Sequence, residues 1–217
     1  MIQLLFIVYM LVILCAAIMA IVYQDSLRTR KLGILAVYLS YTFLQEVGLR
    51  VADHYNLFAS TAIVYDVYKV LNVAVFAFIY SRIPFLAPLR KLIIGLAALF
   101  ILATLVQLLF PQTLTILPRY LPLARGLIIT GYGMFFLSYY FRLDHRELEK
   151  YWTPVLWITI GIVVFYPVIS ISLAFQSELI NFGDVYGIRL YQIIPQFMSL
   201  FMYSCFMYAF YLCKKKN

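Results

Sequence analysis

The chain has 217 residues, of which 65% are hydrophobic, 18% aromatic and only 12% charged, with a mean hydropathy of +0.94. A soluble domain carries about 25% charged residues, so this composition excludes a soluble enzyme, a disordered regulator and a nucleic-acid binder. The net charge of +8 reads as the Lys and Arg excess of cytoplasmic membrane loops.

A helix crossing the hydrocarbon core needs about 20 mostly apolar residues. Seven stretches meet that need: 2–23, 32–53, 58–80, 91–110, 122–141, 153–175 and 189–212. The predicted fold is all-α, one seven-helix transmembrane bundle over residues 1–217, because no connection is long enough for an extramembrane domain. The first stretch lacks a basic leader and a clear small-residue cleavage site, so it is expected to be a retained helix, not a signal peptide. The second carries Glu46 and Arg50, four apart and on one helical face, with the acid N-terminal as pairing prefers. The third carries Tyr65, Asp66, Tyr68 and Lys69, with Asn72 on nearly the same face. The fourth is almost wholly apolar. Arg125 and Tyr132 lie in the fifth, Tyr166 and Pro167 in the sixth, and Gln192, Pro195 and Gln196 in the seventh. Pro84, Pro88, Pro111, Pro118, Pro122 and Pro154 fall at or between the expected helix ends, where proline is tolerated.

Basic residues set the orientation. Arg28, Arg30, Lys31, Arg82, Arg90, Lys91, Arg142, Arg146, Lys150 and Lys214 to Lys216 are twelve of the seventeen Lys and Arg, all on one side of the threading. The positive-inside rule makes that side cytoplasmic, with the N-terminus outside and the C-terminus inside. Counted from the helix ends at 1.5 Å per residue, the intramembrane polar groups gather in the outer half. Intramembrane charges face a bundle interior or a wet cavity. Glu46, Arg50, Tyr65, Asp66, Lys69, Asn72, Arg125, Tyr132, Tyr166, Gln192 and Gln196 are therefore the candidate ligand-binding residues. They form a cavity for a small anionic or zwitterionic ligand or a lipid head group. The plainer alternative is a pair of local ion pairs, Glu46–Arg50 and Asp66–Lys69, that neutralise each other and stitch the second and third helices.

Other chemistries find little support. A covalent retinal needs a lysine in the middle of the last helix, and none precedes Lys214 there. Pro-Gln occurs at 111–112 and 195–196, without the placement that PQ-loop transporters give it. Asp144, His145, Glu147 and Glu149 lie in a short basic loop that reads as a connector, not a metal site. Neither a G-x-S-x-G elbow nor an H-E-x-x-H helix is present. The three cysteines fall within spans or at an inner end and imply no disulfide framework.

Leu39-Ser40-Tyr41-Thr42-Phe43-Leu44-Gln45-Glu46, then Asn56, Val64-Tyr65-Asp66-Val67-Tyr68, Tyr166 and an aromatic-rich last helix make up a distinctive set. On these residues the chain resembles a group of short, uncharacterised seven-helix bacterial inner-membrane proteins. Asp66, Lys69 and Pro167 depart from that group's more neutral pattern. Some of those proteins accompany sensor kinases, which implies signalling and carries no chemistry with it. The resulting expectation is a non-enzymatic, receptor-like bundle that senses a ligand in its outer half and acts through a membrane or cytoplasmic partner. A small-solute transporter is the alternative, and a lipid-modifying enzyme stands behind it.

Overall fold

In the computed structural model, residues 2–55, 62–110, 117–142, 146–176, 178–181 and 190–214 are described. Asn56, Pro111, Gln112, Asp144, His145, Arg189, Lys215 and Lys216 lie outside them, as do the side chains of Arg146, Glu147, Glu149 and Lys150. The described residues form helices and turns, with no strand among them. In chain order the helices are α1 (Ile2–Val22), α2 (Gln24–Thr29), α3 (Ile34–His54), α4 (Ala62–Ser81), a 3-10 helix (Pro84–Leu89), α5 (Arg90–Leu109), α6 (Leu117–Tyr140), α7 (Arg146–Ala174) and α8 (Leu190–Lys214).

Six of these are long and apolar enough to cross a membrane: α1, α4, the 3-10 helix running into α5, α6, α7 and α8. The chain thus has the make-up of a multi-pass membrane protein. The remaining long helix, α3, is 21 residues but is loaded with Gln45, Glu46, Arg50 and Asp53, and it falls outside the apolar set.

The helices pack in a closed order. Contacts run from α3 to α1, to α8, to α7, to α6, to α4 and back to α3, while α5 lies against both α4 and α6. Small residues set the closest approaches. A Cβ on Gly161 of α7 would sit 3.1 Å from Cys205 Cβ and 3.2 Å from the Met202 carbonyl on α8. One on Gly133 of α6 would meet Val163 at 2.4 Å. Close backbone approach at Gly is the usual substitute, in lipid, for a hydrophobic drive between helices.

Four basic segments meet at one end of the bundle. Arg30, only 6% exposed, donates from Nη1 to the Tyr151 carbonyl at 2.8 Å, and Tyr151 Oη donates to the Thr29 carbonyl at 2.9 Å. The Lys31 ammonium reaches the Arg82 carbonyl at 3.3 Å, and Lys214 lies 5.8 Å from the centre of the Tyr23 ring. The α2 helix, absent from the expected spans, makes this junction possible. It ends in a Schellman turn, with Leu32 N–H bonded to Leu27 O and Lys31 N–H to Arg28 O. Lys31 takes the left-handed position at φ 63°, where glycine is usual. The 3-10 helix closes the same end by setting Phe85 between Phe136 (5.5 Å) and Trp152 (5.6 Å).

The proline reading needs correction. Pro122 and Pro154 lie inside α6 and α7, because these helices begin earlier than the apolar pattern does. Polar first turns, Leu117–Tyr120 and Arg146–Lys150, extend both beyond the apolar stretch.

The Gly161 contact gives the first prediction. Its neighbours are a backbone carbonyl and a Cβ, which cannot rotate away. Gly161→Val should therefore cost about 1–3 kcal/mol by overpacking, read as a lower Tm in detergent. Gly131→Ala, with nothing within 4 Å of its Cβ position among the described residues, should leave Tm level or raise it slightly.

Candidate functional site

The interior polar network centres on Asn72, halfway along α4. Its Nδ2 donates to the Tyr38 hydroxyl of α3 at 2.7 Å. Its Oδ1 accepts the Tyr166 hydroxyl of α7 at 2.6 Å. Tyr38 also shares a hydrogen bond with Tyr68 of α4 at 3.2 Å. One amide thereby ties three helices, and Asn72, Tyr38 and Tyr166 are all fully buried. Tyr166 precedes Pro167, whose missing N–H frees a carbonyl one turn back in α7.

Arg125 of α6 borders this network. Its guanidinium carbon lies 5.9 Å from the ring centres of both Tyr68 and Tyr166, within cation–π range. Among the described residues Arg125 forms no ion pair and its buried Nε has no hydrogen-bond partner. The site therefore holds a half-buried cation faced by aromatic rings and paired with no described carboxylate.

Asp66 and Lys69 form the expected pair, Nζ to Oδ1 at 2.5 Å, with both side chains largely covered. Asp66 lies six residues from Asn72 on α4, about 9 Å toward the end opposite the basic one.

The other expected pair is not made. Glu46 lies beside the Tyr9 hydroxyl of α1 instead. Arg50 is exposed, with its guanidinium carbon 4.9 Å from the centre of the Phe6 ring. An exposed arginine at the last turns of α3 gains more from water and an aromatic face than from reaching back into the bundle for a carboxylate.

The remaining candidates scatter. Tyr65 is exposed on α4, facing Glu46 and Asp53. Tyr132 turns to the basic half, where its hydroxyl donates to the Ile93 carbonyl of α5 at 2.8 Å and its ring lies 6.2 Å from Tyr80. Gln192 donates to the neighbouring Tyr191 hydroxyl at 3.3 Å, and the buried Gln196 Oε1 has no partner among the described residues. Neither glutamine is seen to touch Arg125.

Two residues of the network lay outside the expected set: Tyr38 and Tyr68. Tyr203 of α8 lies nearby, its ring centre 6.5 Å from that of Tyr9. The signal for Tyr38 was present in principle, since it is two turns before Glu46 on α3. An aromatic in an apolar run does not announce that its hydroxyl is used.

Among the described residues, no three His, Cys, Asp or Glu side chains gather as a metal site would require. No family model, curated protein or solved structure matches the chain.

Asn72→Leu should strand the Tyr38 and Tyr166 hydroxyls together. Membrane hydrogen bonds between helices are worth about 0.6–2 kcal/mol each, so the loss should be about 1–3 kcal/mol. Tyr166→Phe, which leaves the Tyr38 bond in place, should lose less. Thermal unfolding of both variants checks the order; equal or absent losses would contradict it.

Proposed function

We propose that the chain is a seven-span bacterial inner-membrane protein, N-terminus outside and C-terminus in the cytoplasm, that binds a small anionic or zwitterionic group at Arg125 and acts as a receptor through a partner. The observation that carries this reading is the guanidinium near the Tyr68 and Tyr166 rings with no ion pair among the described residues. A half-buried charge without a partner is held at a cost that a counter-ion relieves. A bundle that keeps one gains when an anion arrives, and the arriving anion shifts the packing of the α6, α4 and α7 side chains around it.

Several features favour seven spans. At 21 residues, α3 is about 31 Å long, enough for the hydrocarbon core. It completes the closed helix order and hides its polar load partly against Tyr9. The convergence of Arg30, Lys31 and Lys214 at one end supports a cytoplasmic assignment of that end. Reporter fusions after Tyr55, after Ile116 and at the C-terminus should read outside, outside and inside; an outside C-terminus would overturn the threading.

A receptor suits the bundle better than a transporter because the basic half is filled. Phe85, Phe136, Tyr140 and Trp152 pack there with neighbouring ring centres about 5.5 Å apart, below Tyr80, whose hydroxyl is paired with Thr159 at 2.9 Å. No enzymatic step is proposed, since no nucleophile with an adjacent base enters the network.

The test is mass spectrometry of species co-purifying with the wild type and with Arg125→Gln. The variant should fold, with equal or higher Tm once the unpaired charge is gone, and should lose an anionic species or bind it at least tenfold more weakly. Identical bound species in both proteins would remove the reading.

A further inference from the structure

The end of α3 furthest from the basic junction holds a second, separate feature. A concavity of about 490 Å³ is lined, among the described residues, by Arg50, Val51, Asp53 and Tyr55. Pockets for small ligands span roughly 300–1,000 Å³. Arg50 and Asp53 are three apart, neighbours on one helical face, yet they make no ion pair. Arg50 is drawn aside onto the Phe6 ring at 4.9 Å. The groove therefore presents one cation and one anion that do not neutralise each other.

An exposed apolar lane leads away from this groove. Val37 (66% exposed), Leu44 (67%) and Val51 (46%) recur every seven residues, which puts them on one stripe of α3. Gly48 falls on the same stripe, and a Cβ there would meet nothing within 4 Å among the described residues. The glycine leaves a notch in the lane one turn below the charged groove.

We propose that this is a seat for a zwitterionic phospholipid of the phosphoethanolamine kind. Its phosphate would lie on the Arg50 guanidinium, its ammonium on Asp53, and one acyl chain along Val37, Leu44, Gly48 and Val51. Charge complementarity selects the head group: a purely anionic lipid meets Asp53 as a repulsion, and a quaternary ammonium has no N–H to donate to it. The apolar lane favours a lipid over a free solute, because a soluble zwitterion would leave that lane unused. The site is independent of Arg125, which lies inside the bundle on α6.

The experiment titrates delipidated protein in detergent with phosphatidylethanolamine, phosphatidylglycerol or phosphatidylcholine, counting bound lipids by native mass spectrometry. One phosphatidylethanolamine should bind about tenfold more tightly than either of the others, the scale of one charge-assisted hydrogen bond. Asp53→Asn should abolish the preference over phosphatidylglycerol. Arg50→Gln should weaken both by about tenfold, and Gly48→Leu should weaken every lipid without changing their ratio. All three positions are exposed, and unfolding curves check that the variants fold; the Asp53→Asn ratio decides the matter if Arg50→Gln does not. Equal binding of the three lipids, ratios unmoved by Asp53→Asn, or competition by chain-free glycerophosphoethanolamine as strong as by the lipid would each overturn the proposal.

Discussion

An amide in the middle of a membrane helix must be hydrogen-bonded, since lipid offers nothing to satisfy it. Asn72 meets that requirement with two tyrosine hydroxyls from different helices, Tyr38 of α3 and Tyr166 of α7. Much else follows from that constraint. It sets the rotation of α4, because only one face can point Asn72 at both partners. It brings Tyr166, next to the helix-breaking Pro167, against α4. It also assembles the aromatic wall that Arg125 faces from α6. Apolar packing alone does not choose among helix rotations in lipid, where both sides of a contact are equally greasy. The polar network does.

Around that centre the molecule is divided by depth. The basic half is closed by an aromatic cluster and by side-chain bonds to backbone carbonyls, Arg30 to Tyr151 and Lys31 to Arg82. The opposite half keeps charges: Asp66 with Lys69, Glu46 with Tyr9, and Arg125 unpaired. The Asp66–Lys69 pair is self-contained, so it contributes to packing without asking for a ligand. Arg125 differs. Its guanidinium faces aromatic rings, forms no ion pair among the described residues and has a buried Nε without a hydrogen-bond partner there.

The all-helical, membrane-type architecture was legible in the sequence because apolar runs of about 20 residues have few other meanings. Helix ends were less so. Polar first turns such as Arg146–Lys150 hide the start of α7 from any hydropathy argument, and Gln24–Thr29 is too short and polar to register as a helix at all. Asp66–Lys69 was readable because i,i+3 spacing fixes the contact locally. Glu46–Arg50 had equally good spacing and failed, because Tyr9 and Phe6 of α1 compete for the two groups. Spacing on one helix cannot report what a neighbouring helix offers. Tyr132 shows the same limit, since its rotation, set by close approach at Gly126 and Gly133, turns it from the expected cavity to α5. The network's tyrosines stayed hidden because 19 tyrosines give no clue to which hydroxyls are buried.

In the proposed role Arg125 waits for an external anion. A density map of the wild-type protein in lipid nanodiscs, read at the Arg125 guanidinium, decides whether it does. Non-protein density of phosphate or carboxylate size is expected within hydrogen-bonding distance of Nε, flanked by the Tyr68 and Tyr166 rings. A carboxylate of the chain itself paired with Arg125, filling that space, would contradict it.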